Sequence, residues 1–386
     1  LVPASLVKLF VTAAILDLDA KEKISLDTII AHDGIVSAGK LQGSLYLKGM
    51  GNAFLSEDDL RLAVEKLISK GISEITGGIV ADDSLFGDKE QWNRYYGSAY
   101  SNPSALGLDM HTVSLIVSGG SSDIKFDPPN EAAKVHLKSH GRYQIRQIDD
   151  LTYEISGITA GSAEIKKRFP LKDPAIYAAG TLRTFLNERG IEIRGTTSRG
   201  KLPPQYTEIA RIKSKDLRDI IRDTNNHSLN VAADNLFLLL GAKRYGPPGT
   251  IEKGSLALKE FLNNLGIASE DIVFADGSGL SPLNRISSNH VVNLLTKISE
   301  KPWFNSFYES LPRPGLEGTL KEIGYINSHI RAKTGQLDDV YCLAGYIEKK
   351  NGIKVAFSYM VNVPGADLLW KESVKILTLL SGVMDE

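Results

Sequence analysis

Between about Ser118 and Ser162 every helical signal in this chain disappears. The runs KVHLKSH, YQIRQID and LTYEISG alternate apolar with polar residues, and the turn clusters GGSSD and DPPN lie between them. Such alternation points side chains to opposite faces of a strand, so the stretch predicts a small all-β insert. On either side the texture is α/β. From Pro3 to about Leu18, Leu6, Leu9, Phe10, Ala13 and Leu16 recur at helical spacing behind a proline tolerated in a first turn, which predicts a buried helix. The strand-like runs KISLDTII, GSLYLKG and GGIVADDSLF follow, interrupted by a helix over SEDDLRLAVEKLISKG with acidic residues at its start and Gly71 at its end. Beyond the insert, DPAIYAAGTLRTFLNERG restores a helix, IEIRGTTSRG a strand and KLPPQY an exposed connection. From Ser214 helices dominate until IRAKTG, VYCLAGYIEKK and KVAFSYMVNV, three successive strands that predict an antiparallel sheet. A last helix from about Ala366 to Leu380 is apolar at Leu369, Val374, Ile376, Leu377 and Leu380 but has no basic face. It is expected to pack on that sheet rather than on a membrane.

A length of 386 residues corresponds to two or three domains at about 150 residues each. Forty-five Lys and Arg against 46 Asp and Glu leave a formal charge of −1, so no bulk field draws nucleic acid or anionic lipid. The basic run Lys166 to Arg168 is too short to make a nucleic-acid patch. The opening apolar run is broken by Lys8, short of the roughly 18 uninterrupted residues that span a bilayer, and the features of a signal peptide are missing from the sequence. A single cysteine, Cys342, excludes an internal disulfide and a cysteine-rich zinc site, and its setting predicts a buried strand.

Three short patterns occur in order: Ser5-Leu-Val-Lys8, Ser228-Leu-Asn230 and Lys333-Thr334-Gly335. Positions i and i+3 share a helix face, so Lys8 can lie beside the Ser5 hydroxyl. Serine is a weak nucleophile until a neighbour takes its proton. A lysine does this only when desolvation, a second cation or a helix N-terminus lowers its pKa, and Lys333 is a candidate for the second cation. Other S-x-x-K matches begin at Ser37, Ser122 and Ser198, in glycine-marked loops where no helix holds lysine against serine; S-x-N recurs at Ser287. Lys333-Thr334-Gly335 occurs once, at a strand end whose glycine is expected to admit a substrate backbone.

The set resembles the penicillin-recognising serine acyltransferases, which include serine β-lactamases and penicillin-binding proteins. LQGSLYLKG, VADDSLF, NPSALGLD, DPAIYAAGTLRTFLNERGI, DGSGLSPLN, GLEGTL and IRAKTGQL narrow the resemblance to the low-molecular-mass class C penicillin-binding proteins, the D-alanyl-D-alanine carboxypeptidase and endopeptidase family, from Pro3 to about Val363. The roughly 220 positions from Lys8 to Ser228 agree, because a compact β-lactamase needs far fewer.

The resemblance implies a multi-domain α/β fold. A β-lactamase/transpeptidase-like domain (1–30 and 214–386), with a central antiparallel sheet flanked by helices, is interrupted by an α/β domain (31–117 and 163–213) carrying the all-β domain (118–162). It implies a penicillin-sensitive DD-peptidase acting on peptidoglycan stem peptides through an acyl-enzyme, without metal or cofactor, with β-lactams as covalent inhibitors and a periplasmic or otherwise extracytoplasmic location. Ser5 is then the nucleophile and Lys8 its base; Ser228 relays a proton, Asn230 holds the substrate amide, and Lys333 with Thr334 binds the terminal carboxylate. Gly335 belongs to the same strand edge, and the N–H groups of Ser5 and Gln336 form the oxyanion hole. The family also has a segment before the nucleophile, so residues are expected ahead of Leu1.

Two positions depart from the family. Gln336 stands where Ser or Thr is common, so a hydroxyl is lost. Pro282 stands where many members have an arginine for the carboxylate of the stem peptide's third residue, with Arg285 a substitute; Asp82 and Phe86 match that subsite's opposite wall. A serine β-lactamase and a vestigial peptidoglycan-binding protein remain alternatives, and the sequence leaves open carboxypeptidase against endopeptidase preference and oligomeric state. His136 and His140 lack a third ligand, Gly49-Met-Gly51 reads as a tight turn, and the Asp58-Asp59, Asp149-Asp150 and Asp338-Asp339 pairs read as helix-start and loop carboxylates.

Overall fold

The structure, a computed structural model, describes residues 1–87, 92, 100–118, 123–138, 142, 144–157, 164–323, 329–366, 369, 372 and 375–379. The chain divides into two compact units, Leu1–Ile24 with Lys215–Glu386, and Ser25–Ser214.

In the unit Ser25–Ser214 a five-stranded sheet runs in the order Thr197–Arg199, Ile79–Asp82, Leu45–Lys48, Thr28–His32, Thr207–Ile212. The first three strands are parallel, and Thr28–His32 is antiparallel to both of its neighbours. Residues 25–30, expected with the first domain, therefore belong here: Thr28–His32 is an interior strand of this sheet. Asp27 ties the two ends of the unit together, accepting from Lys213 Nζ at 2.7 Å and from the Ser214 N–H at 3.1 Å. Two helices bury apolar faces on the sheet core. Glu57–Ser69 starts at a Ser56/Asp59 capping box, and Pro174–Glu188 starts with Asp173 as cap and proline in its first turn.

The all-β part is wider than 118–162. Thr112–Ser118 and Ile165–Pro170 pair antiparallel from Thr112↔Pro170 to Val117↔Ile165, so both flanking runs join it. Six strands make two three-stranded sheets around Tyr153, whose ring lies 5.3 Å from Phe126 and 5.2 Å from Phe169. His136 sits in the strand Lys134–Lys138; His140 lies outside the described residues.

In the other unit, the strands Ile330–Leu337, Val340–Glu348 and Lys354–Asn362 form an antiparallel sheet in sequence order. Asp338-Asp339 turns the first hairpin, with Asp339 in the left-handed region at φ 58°. One face packs Ile330, Ala332, Tyr341, Leu343, Ile347 and Phe357 against Leu320, Ala366 and Leu377. Leu377 is fully buried there, so the expected last helix packs on the sheet, although among the described residues it is α-helical only over 375–379, with 3-10 geometry at Ala366, Leu369 and Glu372, and Val374 and Leu380 lie outside them. On the helix Ser288–Ile298, the Leu295 carbonyl accepts from Tyr346 Oη at 2.7 Å. Cys342 is fully buried in the central strand. No helix among the described residues is long and apolar enough to cross a membrane.

The first helix differs in detail from its expectation. Ala4–Leu6 is a 3-10 turn, and the α-helix proper is Val7–Lys21, with every residue from Val7 to Leu16 buried. A helix apolar all round belongs inside a protein, and Lys8 and Thr12 are the polar exceptions in that stretch.

Candidate active site

Ser5 lies on the 3-10 turn and Lys8 on the first α-turn. In a 3-10 turn side chains at i and i+3 eclipse, which brings the pair together more directly than an α-turn does. Ser5 is half-buried while Lys8 is fully buried, so the hydroxyl is reachable and the amine is not. The turn is held from two sides. Ala4 is left-handed at φ 46°, a conformation costing about 1–2 kcal/mol for a residue with a Cβ. A Cβ on Gly279 would fall 1.9 Å from the Ala4 carbonyl oxygen, and one on Gly335 would fall 3.0 Å from the Ser5 nitrogen and 3.0 Å from the Pro3 oxygen. Gly335 thus admits the nucleophile turn, where its sequence setting predicts room for substrate; Lys333-Thr334-Gly335 also lies within the strand Ile330–Leu337 rather than at its end.

Gly279→Ala introduces both a clash and a left-handed alanine (φ +83°), whereas Gly71 has φ +75° with nothing within 4 Å of the place an added methyl would occupy. Gly71→Ala is expected to cost about 1 kcal/mol in a thermal melt and leave acylation intact. Gly279→Ala is expected to melt lower still and to acylate at least about tenfold more slowly, because overpacking shifts the turn. Equal acylation rates in the two variants would contradict this account of the turn.

Lys8 Nζ lies 2.9 Å from Ser5 Oγ, donates to Asn230 Oδ1 at 2.8 Å and donates to the Ser278 carbonyl. The last two partners can only accept. A neutral amine has two hydrogens and one lone pair, so with both hydrogens on these carbonyls the lone pair faces Ser5 Oγ. Burial lowers the Lys8 pKa to about 8, opposed by the charges of Asp234 and Asp276. Ser228 Oγ donates to Ser5 Oγ at 3.1 Å. Ser228 is left-handed (φ 56°) in the bend between the helices Leu217–Asn226 and Asn230–Tyr245, and Asn230 opens the second of these. Ser5, Lys8, Ser228 and Asn230 therefore share one hydrogen-bonded cluster.

Lys333 is fully buried and donates to the Thr334 carbonyl at 2.9 Å. Burial, and then the Lys8 charge, hold its pKa well below that of an ordinary lysine. Thr334 Oγ1 donates to Thr319 Oγ1 at 2.9 Å, and Gln336 is exposed on the same strand.

Two buried carboxyls behind Lys8 are not signalled by any of the three motifs. Asp276 accepts from the N–H groups of Gly279 and Ser281, both at 2.6 Å, and from Asn284 Nδ2 at 2.9 Å. Asp234 accepts from the Gly277 N–H at 2.9 Å. Together they fold the segment Asp276–Asn284 so that the Ser278 carbonyl meets Lys8. Burial first, and then the Asp276 charge, raise the Asp234 pKa well above that of an ordinary carboxyl. The sequence does carry a signal for one of them: Asp234 interrupts the apolar run of NVAADNLFLLL, four positions after Asn230 and on the same helix face.

Asp82 and Phe86, matched in sequence to the opposite wall of the third-residue subsite, are both buried. Asp82 is fully buried, with its carboxylate on the Ser84 and Leu202 N–H groups at 3.0 and 2.8 Å and on Lys48 at 3.3 Å. Phe86 is 4% exposed. Both side chains are internal to the unit Ser25–Ser214 and offer a ligand almost no surface. Arg285 donates through Nη1 to the carbonyls of its own loop, Pro282 and Asn284.

Comparison with known proteins supplies the context. A family model described as the D-Ala-D-Ala carboxypeptidase 3 (S13) family matches residues 1–375. The chain is 27% identical over 383 residues to the D-alanyl-D-alanine carboxypeptidase DacB of Haemophilus influenzae, covering 93% of this chain and 80% of that one. It is also 27% identical over 403 residues to a D-alanyl-D-alanine carboxypeptidase of Actinomadura sp. strain R39, covering 94% and 73%. Among solved structures, penicillin binding protein 4 (dacB) from Haemophilus influenzae superposes with a TM-score of 0.83 at 25% identity, over 99% of this chain and 91% of the other.

Proposed function

This chain belongs to the D-Ala-D-Ala carboxypeptidase 3 (S13) family, and on that premise we propose that Ser5 is the nucleophile of its serine-type D-Ala-D-Ala carboxypeptidase activity and Lys8 the neutral base. The observation that carries the assignment is the Lys8 amine, 2.9 Å from Ser5 Oγ with two obligate acceptors on its remaining contacts.

Ser5 Oγ attacks the carbonyl carbon of the D-alanyl-D-alanine bond while its proton passes to the Lys8 lone pair. The N–H groups of Ser5 and Gln336 hold the oxyanion, a role supported by the close approach of Gly335 to the Ser5 nitrogen. The proton returns through the Ser228 hydroxyl, 3.1 Å from Ser5 Oγ, to the departing nitrogen; the C–N bond breaks, D-alanine leaves, and the Ser5 ester remains. Water, deprotonated by Lys8, then attacks the ester and restores Ser5. Asn230 orients the substrate amide, and Lys333 with Thr334 takes the terminal carboxylate. Gly335 sets the strand against Ser5. A cross-linked stem peptide presents the same kind of bond, so endopeptidase cleavage is within reach of the same chemistry.

A penicillin offers a strained amide carbonyl to Ser5, and its leaving nitrogen stays tethered, which obstructs water. The Haemophilus relative is itself named a penicillin binding protein. Substrates of this class lie outside the cytoplasmic membrane, so the working location is extracytoplasmic. No role at the substrate's third residue is proposed for Asp82 or Phe86, given their burial.

Incubating the protein with a labelled penicillin and weighing it intact is expected to show one adduct that persists for minutes or longer, while a peptide ending in D-alanyl-D-alanine releases D-alanine. Turnover of the penicillin within seconds would favour a β-lactamase. Failure of both adduct and D-alanine release would favour a vestigial binding protein.

A further inference from the structure

Thr319 belongs to none of the three motifs. It lies in the 3-10 turn Gly318–Ile323, and its Oγ1 accepts from Thr334 Oγ1 at 2.9 Å. The turn's position is fixed by packing. Gly318, at φ +59°, lies so close to Asn226 that a Cβ would fall 2.2 Å from Asn226 Oδ1 and 2.3 Å from its carbonyl oxygen. Asn226 ends the helix that leads into Ser228. On the other side Leu320 is fully buried in the sheet core, and its carbonyl accepts from the Gly315 N–H at 3.0 Å. Thr319 thus lies between the segment presenting Ser228 and the strand presenting Lys333, with its own side chain exposed.

The chemistry of the pair points outward. Thr334 uses its proton on Thr319, so the Thr319 proton is directed to another acceptor. Positions 334 and 336 are i and i+2 on one strand and share a face, and at 336 this chain has glutamine instead of a hydroxyl. Resting on the reading given under Proposed function, we propose that Thr319 is a specificity-determining residue: when substrate binds, the Thr334 hydroxyl turns its proton from Thr319 to the free carboxylate at the end of the substrate, and the Thr319 hydroxyl donates its own proton to the same group. An ionised carboxylate accepts from two hydroxyl donors at once, whereas a carboxamide offers a single, neutral oxygen.

The test compares Thr319→Val with wild type on diacetyl-L-lysyl-D-alanyl-D-alanine and on the same peptide with a C-terminal carboxamide. Loss of a hydrogen bond to a charged group is expected to lower kcat/KM for the free acid about tenfold more than for the amide, mainly through KM. Thr319→Ser is expected to keep the wild-type discrimination, since the hydroxyl returns without the methyl. Parallel losses on both substrates, or undiminished discrimination in the valine variant, would assign Thr319 a merely structural role and overturn the proposal. Absence of D-alanine release by the wild type would instead overturn the activity on which the proposal rests.

Discussion

Ser5→Ala is expected to form no penicillin adduct and to release D-alanine at least about 10⁴-fold more slowly than wild type, since the activated nucleophile and its base act as a unit. The nearest competing hydroxyl is that of Ser228, 3.1 Å from Ser5 Oγ. It donates toward Ser5, and the Lys8 amine has its closest hydroxyl partner in Ser5 at 2.9 Å. Removing Ser5 therefore leaves no hydroxyl paired with the base. Ser5 is half-buried and small, so the variant is expected to melt close to wild type, and loss of activity then reports chemistry rather than unfolding. An undiminished adduct, mapped by peptide mass to another residue, would refute the assignment.

The second large effect is on the base. Lys8→Met keeps the unbranched chain in its apolar surroundings and removes the proton acceptor, which is expected to slow acylation by about 10³-fold. The wild type supplies its own control through pH. Lys8 works only when neutral, and burial sets its pKa at about 8. Acylation is therefore slow below that pH, where the amine is protonated, rises through about 8, and levels off above it. The methionine variant is expected to lack this rising limb. A flat wild-type profile across the same range, or a variant within about tenfold of wild type, would remove Lys8 from the role of base.

These effects concern residues whose proximity short spacing already conveys. Ser5 and Lys8 are three apart, Ser228 and Asn230 two apart, and such neighbours stay neighbours whatever the fold does. The helices with a cap at one end and glycine beyond the other are legible for the same reason: Ser56 and Gly71 bracket one, Asp173 and Gly190 another. What escapes a reading of the sequence depends on distant partners. Asp82 matches a subsite wall in sequence, and nothing local announces that its carboxylate accepts from the Leu202 N–H, 120 positions on. The all-β part extends to 112–170 because Thr112–Ser118 pairs with Ile165–Pro170, a register that no local pattern announces. Asp276 is an ordinary polar position until the fold buries it behind Lys8.

The division of the chain also bears on how the enzyme comes into being. The nucleophile helix emerges from the ribosome ahead of partners that come late: Lys8 bonds to Ser278, 270 positions on, and Val2 to Asn362, 360 positions on. The unit Ser25–Ser214 is one continuous stretch and is complete long before those partners exist. Contacts of such separation form slowly, and domains fold as units in order of synthesis. The helix Val7–Lys21, buried from Val7 to Leu16, therefore gains its native cover only once those late residues are available. Catalytic competence is accordingly expected to arrive last, when these long-range contacts close.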